Sequence, residues 1–122
     1  MIYFVCSPED FISIPTGEVR WLDPLAEYEL ARRYWEGFGQ DLSYCTWDKA
    51  HAYGYQYAAL IENGAIVSSA GVWRFSEAVW EVSAVSTWTA HRQRGYARRV
   101  VTFVTAYILQ EGRLPVCSTT DG

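Results

Sequence analysis

The chain is poor in lysine and methionine, with one of each, and its three cysteines, Cys6, Cys45 and Cys117, lie far apart with no C-x-x-C spacing. An odd, scattered set of thiols suggests neither a disulfide framework nor a structural zinc site, so no metal is expected and all three cysteines read as small buried hydrophobes. No apolar run is long enough to span a bilayer. The opening Met1-Ile2-Tyr3-Phe4-Val5-Cys6 lacks the basic flank of a signal peptide and soon meets Pro8, Glu9 and Asp10. A soluble cytoplasmic protein without membrane contact is the expectation. Basic charge is also scarce overall: the net charge of -4 and a pI near 5.1 argue against nucleic-acid partners, which usually call for a basic footprint.

Aromatic residues are abundant, with six Trp and nine Tyr, and half the chain is apolar, which excludes global disorder. A length of 122 residues suits one domain, 1–122, with a real core. Basic residues, though few, are concentrated: Arg92, Arg94, Arg98 and Arg99 fall within eight positions.

The pattern divides the domain into an N-terminal helical or irregular part, 1–56, and a sheet-and-helix part, 57–122. Asp23-Pro24 predicts a helix start, and Leu25, Tyr28, Ala31, Trp35 and Phe38 form one apolar stripe that Gly37 and Gly39 end. Residues 42–55 are aromatic and irregular, a loop or short helix. From Tyr57 the runs become β-like. Two of them meet at Asn63-Gly64, a strong hairpin signal, and a third runs from Ala78 to Trp88. In that third run Val79, Glu81, Ser83, Val85 and Thr87 alternate with Trp80, Val82, Ala84 and Ser86. Three antiparallel strands are therefore expected, followed by a helix through Ala97, Val100, Val101, Val104 and Ile108 that stops at Gly112, then a strand over 114–119. The fold class is α/β (α+β), an antiparallel meander leading into a strand–helix–strand crossover.

Between the third strand and that helix lies Thr89-Ala90-His91-Arg92-Gln93-Arg94-Gly95-Tyr96-Ala97. A helix N-terminus presents unpaired N–H groups and partial positive charge, which suit an anion. Gly95 permits the turn, Ala97 leaves room beside it, and the arginines add charge-assisted contacts. A diphosphate is the natural ligand, and a Gly-containing loop that merely caps a helix is the simpler alternative.

At these residues the sequence resembles the GNAT superfamily of N-acetyltransferases, whose signature is R/Q-x-x-G-x-G/A between a strand and a helix. Arg92-Gln93-Arg94-Gly95-Tyr96-Ala97 fits each defined position. Val85-Ser86-Thr87-Trp88-Thr89-Ala90-His91-Arg92 is similar to the family's V-x-T-x-P-x-x-R variant, with Thr89 in place of Pro. The resemblance implies acetyl-CoA as cosubstrate, held by backbone N–H groups from Arg92 to Ala97. It implies that the Val85-Ser86-Thr87 stretch pairs with the pantetheine arm through the backbone of Val85 and Thr87, and that Ser118 and Thr119 face the arm across a gap between splayed strands. It further implies transfer of acetyl to an amine by direct attack.

Glu81 is the candidate general base. It stands eleven residues before Arg92, where several family members carry a glutamate, and alternation gives it the parity of Val85 and Thr87. An apolar setting would raise its pKa toward about 6–7. Glu77 and His91 are weaker candidates. The resemblance also implies an Asn-containing turn, a helix with an acid Tyr and final strands after the last expected strand, which this sequence does not contain. A non-catalytic acyl-CoA-binding or interaction domain, or a fragment of a longer acetyltransferase, therefore stand as alternatives. The acceptor that the resemblance implies is a small-molecule or peptide amine, the aromatics from Tyr44 to Tyr57 could line its pocket, and a homodimer could cover the open sheet edge.

Overall fold

The computed structural model describes residues 2–5, 11, 13–88 and 94–119, with the backbone alone for 2–5, 118 and 119. Among the described residues nine elements occur in the order β1 (Ile2–Val5), β2 (Val19–Trp21), α1 (Tyr28–Glu36), α2 (Tyr44–Ala52), β3 (Tyr55–Glu62), β4 (Ala65–Trp73), β5 (Val79–Thr87), α3 (Tyr96–Gln110) and β6 (Leu114–Thr119). A six-stranded sheet has the order β1-β6-β5-β4-β3-β2. All neighbours are antiparallel except β5 and β6, which run parallel because α3 carries the chain between them.

The local signals hold where they are strong. Asn63 and Gly64 both take positive φ, 51° and 78°, as a tight hairpin of this twist requires. Gly112, at φ 73°, closes α3 one residue past its cap Glu111. The 42–55 stretch contains α2, capped by Ser43, whose Oγ accepts from the Thr46 N–H at 3.1 Å.

Elsewhere the structure corrects the expectation. Asp23 caps only a preliminary turn, its Oδ1 accepting from the N–H groups of Leu25 and Ala26, and α1 begins at Tyr28. Leu25 consequently projects into solvent, and Tyr34 takes the buried place in the stripe. Cys45 is exposed and Cys117 only partly covered, so the expectation of buried thiols fails for Cys45; Cys6 lies outside the described residues. Two strands in the N-terminal third are additional to the expected meander. β1 pairs with β6, Ile2 opposite Thr119 and Val5 opposite Val116, so the edge of β6 expected to be open has a strand beside it.

The sheet separates two apolar clusters. α3 presses Val100, Val104 and Ile108 onto Leu60, Val72, Trp80 and Val82 on one face. On the other, α1 and α2 bring Ala31, Tyr34 and Trp47 onto Ala59 and Ile66. Ile108 is completely buried. Ile108→Ala should cost about 2–5 kcal/mol, the usual range for a large-to-small core change, seen in urea unfolding as a lower midpoint at unchanged slope.

Candidate functional site

The site grows from the way β5 loses its neighbours. β5 pairs with β6 only from Val79 opposite Leu114 to Val82 opposite Cys117. Beyond that point β6 continues against β1, and the 83–87 stretch has no strand on that side among the described residues. The two parallel strands therefore splay after Val82 and Cys117, and along residues 83–86 that edge of β5 has no described strand beside it.

The other edge is disturbed at the same place. Gly71 pairs with Ser83 and Ser69 with Ser86, so Ala70 of β4 faces two residues of β5, Ala84 and Val85. This is a β-bulge, in which the extra residue drops out of the ladder and re-aims the side chains after it. Ala84 takes φ 53°, a left-handed conformation costing an L-residue roughly 1–2 kcal/mol. Val85 is 39% exposed.

The bulge overturns the simple alternation. Trp80 and Val82 face α3, so Glu81 and Ser83 face α1 and α2. After the extra residue, Ser86 shares that second face, its Oγ 2.7 Å from the Tyr34 hydroxyl. Thr87 turns toward the α3 side, its Oγ1 2.8 Å from Ser68 Oγ. Glu81 thus has the parity of Ser86, not of Val85 and Thr87. A run of small residues, Ser83-Ala84-Val85-Ser86, reads equally well in either phase, so no local signal marked the bulge.

Trp88 fixes the end of β5. Its backbone N–H donates to the Val67 carbonyl at 3.0 Å, its Nε1 donates to the Tyr34 carbonyl at 2.9 Å, and its ring stacks on Tyr34 at 5.6 Å. Thr89 to Gln93, including Arg92, Gln93 and the alternative base His91, lie outside the described residues. The chain re-enters at Arg94 and Gly95. Gly95 is the N-cap of α3 at φ 77°, and a Cβ built on it would meet nothing within 4 Å. No acidic residue sits in the first turn of α3, and Arg94, Ala97 and Arg98 are exposed beside it. A helix start with free space at the Gly95 side-chain position, exposed arginines and no carboxylate of its own in the first turn suits an anion such as a diphosphate.

Two expected members have other duties. Arg99 lies over the Tyr96 ring at 5.7 Å and its Nε donates to the Thr16 carbonyl at 3.3 Å, so it ties α3 to the turn before β2. Tyr96 donates its hydroxyl to Glu62 Oε2 at 2.5 Å. Ser118 and Thr119 lie in β6 just past the last β5 pair, opposite Tyr3 and Ile2 of β1. Their backbone is at the splay.

Glu81 sits opposite Trp73 on β4 and Val116 on β6, at the closed end of the splay. Burial holds its carboxyl above the ordinary value. Its charge acts in turn on two neighbours: burial first, then Glu81, raises both the Tyr55 phenol and the Cys117 thiol. Tyr57, one row along, is pushed up to about 12 by burial and then by Tyr55. Glu77 is exposed in the turn before β5, away from this group.

No protein-family pattern and no curated protein match the chain in sequence. Solved structures match in fold. A GNAT-family protein from Novosphingobium aromaticivorans aligns at TM-score 0.66 and 22% identity over 94% of this chain and 53% of that one. A GCN5-related N-acetyltransferase from Kribbella flavida aligns at TM-score 0.67 and 19% identity over 96% and 47%. AAC(6')-Iy, solved with the bisubstrate analogue CoA-S-monomethyl-acetylneamine, aligns at TM-score 0.66 and 12% identity over 85% and 78%. The chain therefore has the GNAT acetyltransferase fold, and it spans about half the length of the first and second of these proteins. Among the described residues, no helix is long and apolar enough to cross a membrane.

The raised pKa of Glu81 has a signed consequence. The ionised carboxylate disfavours the folded state, so its cost is absent below the unfolded-chain pKa and appears as pH rises through the folded one. Glu81→Gln should match the wild type in stability near pH 4 and gain on it toward pH 7, read from urea midpoints at each pH. A constant difference across that range would contradict the shift.

Proposed function

We propose that the chain is an acyl-CoA-dependent N-acetyltransferase, with acetyl-CoA as cosubstrate and an amine as acceptor. The observation that carries this reading is the coincidence of three features along β5: the splay from β6, the bulge at Ala84 and Val85, and the open helix terminus at Gly95. An extended pantetheine arm needs an open strand edge and a diphosphate needs accessible N–H groups. β5 offers the first and the start of α3 the second.

The N–H groups at the start of α3, with Arg94 and Arg98, would hold the diphosphate, and the open edge of residues 83–86 would pair with the arm as an added strand. The thioester supplies an activated acetyl group when bound. Backbone N–H groups at the bulge supply fixed dipoles for a developing oxyanion. Glu81, or a water it orients, takes a proton from the attacking amine, since an ammonium has no lone pair. Nitrogen–carbon bond formation with carbon–sulfur cleavage releases a second proton from the nitrogen, which passes to the departing thiolate, so the products are the amide and the free thiol. The raised pKa of Cys117 keeps that neighbour as a neutral thiol, which favours direct attack over a cysteine-bound acyl intermediate. A cytoplasmic location, where acetyl-CoA is available, accords with this reading.

A thermal-shift titration tests the binding half. Acetyl-CoA at ~100 times Kd should stabilise the protein by about 2.7 kcal/mol. Gly95→Val, which strains the positive φ and puts a branched side chain into the free space at the helix cap, should remove most of that shift. No shift in the wild type at millimolar acetyl-CoA would defeat the proposal. For chemistry, thiol release by Glu81→Gln should fall by about 10²–10⁴-fold with acetyl-CoA binding retained.

A further inference from the structure

A cavity of about 250 Å³ lies on the face of the sheet that carries α1 and α2. Trp35, Leu42, Trp47, Tyr57 and Ala84 are among its walls, and Asp41 is the one carboxylate lining it among the described residues. Trp47 and Tyr57 stack on each other at 5.5 Å and 19°, so the pair forms a rigid aromatic part of the wall. The cavity reaches the site through Ala84, the strained residue of the bulge. Glu81 and Ser83 precede it on the same face.

Volume limits the occupant. A dry cavity of roughly 150 Å³ can hold benzene, so this one admits a single ring with a short chain. Only one ring of a multi-ring aminosugar could sit inside it, the others being left outside. Charge limits the occupant too: one carboxylate and several aromatic faces suit one ammonium, whereas a polyamine or aminoglycoside would leave its further cations unmatched. Aromatic walls favour a flat apolar body over a hydrated one.

We infer that this cavity is the acceptor site and that it selects a small primary monoamine bearing one flat ring. The inference rests on the acetyltransferase reading for its chemistry, and on the cavity alone for its binding. The ring occupies the space between Trp35 and the Trp47–Tyr57 wall. Asp41, exposed at the wall, attracts the cation, and the amine end is assigned to the Ala84 side, where the cavity meets the strand that carries Glu81.

Thiol release from acetyl-CoA would be followed with 2-phenylethylamine, spermidine and kanamycin, and binding of 2-phenylethylamine would be measured by calorimetry in the presence of CoA. The expected result is a kcat/KM for 2-phenylethylamine at least about tenfold above the other two. Leu42→Phe, which fills the cavity, should weaken 2-phenylethylamine binding about tenfold or more while the acetyl-CoA thermal shift is kept. Should Leu42→Phe fail to fold, Asp41→Asn at an exposed position should still raise the Kd, with the effect fading in high salt. Preference for kanamycin or spermidine, absence of calorimetric binding, or binding indifferent to both substitutions would overturn the inference with the acetyltransferase reading intact. Cavity-dependent binding without thiol release from any amine would uphold the cavity assignment and defeat the acetyltransferase reading.

Discussion

From Val79 to Val82, β5 is held by a strand on each side; from Ser83 onward it has β4 alone among the described strands, and at Ala84 and Val85 even that ladder buckles. Backbone polar groups within a folded protein must be satisfied, and at Ala84 and Val85 the described strands offer no regular ladder partner. The rest of the molecule is arranged around that half-freed strand. α3 closes one face beneath Trp80 and Val82, and α1 and α2 close the other around Tyr34 and Trp47. Trp88 then fastens the far end to α1 through its indole N–H and its stack on Tyr34. A strand lacking half its ladder keeps its course because side chains hold it at both ends.

The same arrangement sorts the local electrostatics. The protein is acidic overall, yet the start of α3 has no carboxylate in its first turn, and Arg94 and Arg98 are exposed beside it. Three carboxylates elsewhere are ion-paired: Glu27 with Arg20 at 2.7 Å, and Glu29 and Glu36 with Arg32. Glu81 differs, standing half-buried beside aromatic rings with its pKa raised by loss of water. The start of α3 favours negative charge through its dipole, whereas the surroundings of Glu81 disfavour the negative form of its own carboxylate.

How much of this could be read in advance depends on the range of the interaction. The Asn63-Gly64 hairpin, α3 with its Gly112 stop and the crossover to β6 are set by neighbours within a few positions, and they were legible. The strand–loop–helix setting of Gly95 was legible for the same reason. β1 was not, because its four residues become a strand only against β6, across nearly the whole chain. The bulge was hidden because small side chains around Ala84 carry no phase. Arg99 looked like one member of a cationic cluster, and its bond to Thr16 depends on a packing that sequence proximity does not encode.

The pairing of β1 with β6 also sets an order of events. Of the described elements β1 is synthesised first and β6 last, so Ile2-Tyr3-Phe4-Val5 must wait, apolar and unpartnered, until every other one has emerged. Closing that loop comes late in folding, since long-range strand pairing requires the largest loss of chain freedom before any contact is gained. The sheet built from β2 to β5 can assemble around its helices while the opening segment is still exposed to chaperones or to other strands. Seating β1 would then be the step that turns a collapsed chain into the finished sheet.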